Sequence, residues 1–121
     1  MHTFPEDENT FLKFVGDSIA QVWLDPYGVR LLFESKASLY AEHKLEQTEP
    51  DGVLWAYDCQ NLAETPVILH RLLYRRIVAI KREDLRLTFA IENGASLAVL
   101  SELGPYESGN VGTAAGDLIV F

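Results

Sequence analysis

The chain has 121 residues, 48% of them hydrophobic, with one cysteine and a formal net charge of −8. That length fits a single domain, and a lone cysteine excludes an intrachain disulfide. The acidic balance argues against nucleic acid as a partner, and no apolar run reaches the roughly 18 residues of a membrane span, so a cytoplasmic protein is expected.

Chain order brings the same series of signals twice. Phe11, Phe14 and Val15 are spaced to share one face of a short helix, with Asn9 or Thr10 as its cap. Ala20, Val22 and Leu24 then alternate as a strand, which leaves Trp23 on the other face with Ile19 beside it. Asp25-Pro26-Tyr27-Gly28 reads as a tight turn. A second strand follows with Val29, Leu31 and Phe33 on one side and Arg30 on the other, then a third with Leu39 and Ala41. Glu46, Glu49 and Asp51 read as a solvated loop before a fourth strand over 53–57.

From Thr65-Pro66, a cap followed by a first-turn proline, the series restarts. Leu69, Leu72 and Leu73 answer the first helix, and Val78 and Ile80 the first strand. Leu85, Leu87 and Phe89 answer the second strand, with Arg86 placed like Arg30. Glu92-Asn93-Gly94 carries a hairpin signal. Leu97 and Val99 mark a third strand, and 118–121 a last one. In this alignment the first turn is two residues shorter in the second copy and the second turn two longer. The expected fold is therefore α+β and mainly antiparallel. Two pseudo-twofold-related α-β-β-β-(β) repeats, near residues 9–60 and 65–121, would form one barrel- or sandwich-like domain over residues 1–121.

Chemistry is harder to find. Gly104, Gly109, Gly112 and Gly116 do not form a phosphate-binding loop between a strand and a helix. They mark instead a loop over 103–117, in which Tyr106 and Glu107 are candidate contacts for a ligand or partner. His2, His43 and His70 lack metal-ligand spacing with each other or with Cys59. Cys59 reads better as a small buried hydrophobe than as a nucleophile served by His43 and Asp58. No catalytic residue, cofactor or metal is expected. Trp23 and Ile19 suggest an apolar outer patch suited to a dimer or partner interface. Charge is uneven: residues 1–64 hold twelve acidic and four basic side chains, residues 65–121 six of each. The bases Arg71, Arg75, Arg76, Lys81, Arg82 and Arg86 read as a solvated face.

The segments 72–78, 85–89, 93–99 and Tyr106-Glu107-Ser108 together resemble a family of small bacterial proteins of unknown function. Its members have two β-rich halves, an Asn/Asp-Gly turn between core strands and a Tyr-Glu-Ser/Ala-Trp segment. Here Gly109 stands where that tryptophan would be. Some relatives look like immunity-type proteins that neutralise toxins. The resemblance implies the two-halved fold and a protein partner, and assigns no activity.

The functional expectation is a non-enzymatic protein-binding module whose acidic first half suits a basic partner, with an immunity-type inhibitor as one specific form. The alternatives are a homo-oligomeric structural protein, or a small-ligand domain with a pocket between the repeats under the 103–117 loop.

Overall fold

The computed structural model describes residues 3–6 and 8–121; His2 lies outside the described residues. Backbone pairing is almost wholly antiparallel. One helical turn, α1 (Glu8–Leu12), precedes strands β1 (Ile19–Asp25), β2 (Gly28–Phe33), β3 (Ser38–Ala41), β4 (Lys44–Thr48) and β5 (Leu54–Asp58). Two single 3₁₀ turns, Leu62–Glu64 and Leu69–Leu72, lead into β6 (Ile77–Glu83), β7 (Arg86–Ile91), β8 (Ser96–Leu100), β9 (Gly109–Gly112) and β10 (Leu118–Val120).

These strands make two five-stranded sheets. Sheet I has the order β1-β2-β3-β9-β10, and sheet II the order β6-β7-β8-β4-β5. Each three-strand meander is thus completed by a hairpin from the other half of the chain. Alternation decides which residues turn inward. Val29, Leu31, Leu39 and Val111 of sheet I meet Leu45, Leu87, Leu97 and Val99 of sheet II in one buried cluster. Two residues, Glu42 and His43, separate β3 from β4 and carry the chain from one sheet to the other.

Several expectations are corrected. Asn9 and Thr10 lie inside α1, which begins at Glu8, and Thr65 closes the first 3₁₀ turn instead of opening a helix. The helices are shorter than expected: Phe11, Phe14, Leu69 and Leu72 are buried and Leu73 packs partly buried against the core, while Val15 is exposed. The turns do not differ in length between halves. β1–β2 and β6–β7 each hold two turn residues, and β2–β3 and β7–β8 each hold four. Leu31 therefore matches Phe89 and Arg30 matches Thr88, not Leu87 and Arg86. A slip of two residues preserves every inward position, so the apolar pattern alone did not reveal it. Strands β4 and β9 fall in stretches read as loops. Glu46 belongs to β4, facing out beside Arg86.

The first strand of each meander is kinked by a bulge, between Ile19 and Gln21 in β1 and between Ile77 and Ala79 in β6. An extra residue reverses the alternation. Ile19 consequently turns inward with Val22 and Leu24. The backbones cross just before these bulges: the Gly16 N–H donates to the Ile77 carbonyl (2.7 Å) and the Tyr74 N–H to the Ile19 carbonyl (2.9 Å). Both donors need the left-handed conformation, Gly16 at φ +91° and Tyr74 at φ +60°, which glycine adopts without the Cβ penalty that tyrosine bears.

The open ends of the core are closed differently. Near sheet I, Phe4 is fully buried and stacks on Phe121, ring centroids 4.4 Å apart. Its carbonyl and that of Pro5 accept from Arg82, while its N–H donates to Asp84. In sheet II a polar cluster does the work. The Tyr57 hydroxyl donates to Gln47 Oε1 (2.8 Å) and accepts from the Ile68 N–H (3.2 Å), and Gln47 Nε2 donates to the Ile68 carbonyl (3.2 Å). This network pins the connecting segment against β4 and β5. Trp55, opposite Gln47 on β5, buries its Nε1 without an acceptor.

Candidate interaction surface

The outer face of sheet I is assembled by register. Trp23 pairs with Arg30, Arg30 with Tyr40, Tyr40 with Asn110 and Asn110 with Val120, so one row crosses all five strands. The next row contains Gln21, Leu32, Ser38, Gly112 and Leu118. Among the described residues no helix lies across these rows. Trp23 is 55% exposed, and Leu118 and Val120 are also open to solvent.

Local chemistry holds the aromatic part of this face flat. Tyr40 lies across β2 because Gly28 leaves room for it; a Cβ at Gly28 would come within 2.5 Å of the ring. Gly28 thus serves the face as well as the turn, an aromatic covering a glycine. The Arg30 guanidinium sits 4.8 Å from the Tyr40 ring centroid, a cation–π arrangement. The Tyr40 hydroxyl donates to Asp25 (3.0 Å). Partial burial, then the Asp25 acceptor and its charge, push the Tyr40 pKa up to about 12, so the hydroxyl stays a donor. Trp23 Nε1 donates to Gln21 Oε1 (2.8 Å).

β3 and β9 run on from this face into a cleft. The Glu42 N–H donates to the Ser108 carbonyl (2.8 Å), extending their pairing by one step. Glu42, His43, Gln60, Glu102, Tyr106, Glu107 and Ser108 line a space of about 340 Å³, near the lower end of ligand pockets. His43 Nε2 lies 3.8 Å from Glu102. Gln60 Nε2 bridges the Tyr27 and Glu42 carbonyls. Tyr106 is 80% exposed at the lip of this acidic cleft. A second, more apolar cleft of about 190 Å³ lies between Phe14 and residues 113–115.

The four residues singled out by sequence therefore separate. Trp23 lies on the outer face, and Tyr106 and Glu107 on the adjoining cleft. Ile19 is 2% exposed and belongs to the core, so its assignment to the outer patch is corrected by the bulge. Arg30, Tyr40, Asn110 and Val120 were missed as a site. The visible signal was their outward parity; the missing one was the pairing of β3 with β9. Cys59 is fully buried, and its pKa is pushed up to about 12 by burial, then by the nearby Asp58 and other carboxylates. A thiol held protonated in this way is a core side chain, not a nucleophile. Among the described residues no group of three or more metal-ligating side chains is placed to hold an ion, and no helix is long and apolar enough to cross a membrane.

No protein-family model, curated protein or solved structure matches the chain significantly.

Proposed function

We propose that the chain is an internally duplicated, non-enzymatic protein-binding domain that engages its partner through the outer face of sheet I. The observation that carries the reading is the uninterrupted row Trp23–Arg30–Tyr40–Asn110–Val120. Tryptophan, tyrosine and arginine are the residue types that dominate binding energy at protein interfaces, and here they stand together on an uncovered face.

Duplication is supported by register. Ile19 and Ile77, Phe33 and Ile91, and Leu39 and Leu97 hold matching positions 58 residues apart. The hairpins match at 64, as in Tyr57 and Phe121, and the six additional residues fall between Ser101 and Ser108. The insertion thus carries Tyr106 and Glu107, beside the face that differs most between the copies.

Partner chemistry follows from charge. The acidic cleft adjoins the platform, and the whole chain is at −8, which favours encounter with a basic protein. An immunity-type inhibitor of a basic toxin is one form of such a module. A pull-down from native extract should recover a stoichiometric basic partner that is released at high salt. Recovery of the bait alone at low salt contradicts the reading.

A further inference from the structure

We propose that a second copy of this chain pairs with the outer edge of β1, joining two copies of sheet I into one ten-stranded sheet. The starting observation is independent of the platform. β1 and β6 hold equivalent edge positions, and both are seven residues long. Sheet edges expose unpaired backbone N–H and C=O groups, and proteins protect them with charges or covering segments.

β6 has both protections. Its second half reads Lys81-Arg82-Glu83, α1 packs against it, and Arg82 is tied to the N-terminal segment through the Phe4 and Pro5 carbonyls. β1 ends instead in Trp23-Leu24-Asp25, with Trp23 and Leu24 each about half exposed. Among the described residues its backbone partners on that side lie near Ile19, whose carbonyl takes the Tyr74 N–H and which bridges to Leu73. From Gln21 to Asp25 no described strand pairs with its outer side.

Self-pairing has one favoured register. An antiparallel pair about a two-fold through Trp23 keeps inward residues opposite inward residues and uses the whole free segment. Val22 then faces Leu24 of the second copy, Trp23 faces Trp23, and Asp25 faces Gln21. No like charges stand opposite each other at the seam. The two platforms become continuous, with a tryptophan pair at their centre.

Salt separates this association from capture of a basic partner. Two copies at −8 repel through solvent, and salt screens that repulsion, so raising salt strengthens the self-pair while it weakens a basic complex. Purified protein at micromolar concentration should sediment at twice the monomer mass. Trp23→Lys should give a monomer, and Val78→Lys on β6 should leave the dimer intact, each with an unchanged circular dichroism spectrum. Register is read by cross-linking. Opposed residues in an antiparallel pair have Cα atoms about 4.5–5.5 Å apart, which suits a disulfide. Mixed Gln21→Cys and Asp25→Cys chains should form an intermolecular disulfide that neither forms alone. A wild-type monomer at every concentration and salt overturns the proposal, as does a dimer that survives Trp23→Lys or a mixture that does not cross-link.

Discussion

Across the outer face of sheet I one row reads Trp23, Arg30, Tyr40, Asn110 and Val120; the corresponding row of sheet II reads Lys81, Thr88, Ala98, Glu46 and Ala56. The inner rows are far closer in kind. Val22, Leu31, Leu39, Val111 and Ile119 face Ile80, Phe89, Leu97, Gln47 and Trp55 across the core. Burial holds the inner rows to largely apolar chemistry. The polar groups among them are Gln47, which is hydrogen-bonded, and Trp55 Nε1, which has no acceptor. An unpaired buried polar group costs about 1–3 kcal/mol. Tyr40 has a local role in the fold, over Gly28 and beside Arg30 and Asp25, but burial does not require a half-exposed tryptophan in line with them. The difference between the two outer faces is where function would leave a mark.

The largest effect should come where sheet I has no room to become like sheet II. Gly109 stands where β4 carries Leu45, and a Cβ there would overlap the Tyr40 carbonyl oxygen and the Phe121 ring. A backbone atom cannot rotate away. Gly109→Ala should cost about 3 kcal/mol or more, read from urea unfolding; a loss below about 1 kcal/mol would mean that β3 and β9 approach less closely than described.

The hydrogen-bonded core cluster comes next. Tyr57→Phe gives sheet II the residue that sheet I has at Phe121, but strands Gln47 Oε1 and the Ile68 N–H. It should cost about 1–3 kcal/mol in the same assay. Adding Gln47→Val, the counterpart of Val111, should cost less than the sum of the two single changes, because the pair is coupled.

Alkaline pH should act on the platform. The folded Tyr40 pKa is raised to about 12 from the ordinary tyrosine value of 10.0, so the folded state holds its proton where the unfolded chain releases it. The stabilisation is complete below pH 10.0 and is lost as pH rises toward about 12. Tyr40→Phe should flatten that segment of the stability–pH curve. A curve unchanged by the substitution would remove the Asp25 contact from the account.

Trp23→Lys should change monomer stability least, by within about 0.5 kcal/mol, since the side chain is mostly in solvent. Any larger loss would make Trp23 a packing residue and weaken its part in the contrast between faces.

Much of this fold was legible from period alone. Alternation at Val29, Leu31 and Phe33, and at Leu87 and Phe89, placed five core residues, whereas Leu85, read with them, falls in the β6–β7 turn. β4 and β9 were not legible because each turns few large apolar side chains inward: Leu45 with the polar Gln47, and Val111 with Gly109. Without those strands the exchange of hairpins between sheets could not be seen, nor could the row that joins Tyr40 to Asn110. Ile19 was misplaced because a bulge leaves no trace in composition. The outward position of Trp23 was legible since its parity survives the bulge, and the loop position of Tyr106 and Glu107 from the small residues around them.

The most direct test of the central claim uses two matched baits. Leu118→Lys/Val120→Lys alters the outer face of sheet I; Leu54→Lys/Ala56→Lys alters the equivalent positions of sheet II. Both add the same charge, and neither touches β1. In low-salt pull-downs from native extract, the first bait should lose the basic partner and the second should retain it at the wild-type level. Loss by the second bait, or equal capture by both, would contradict the assignment of binding to sheet I.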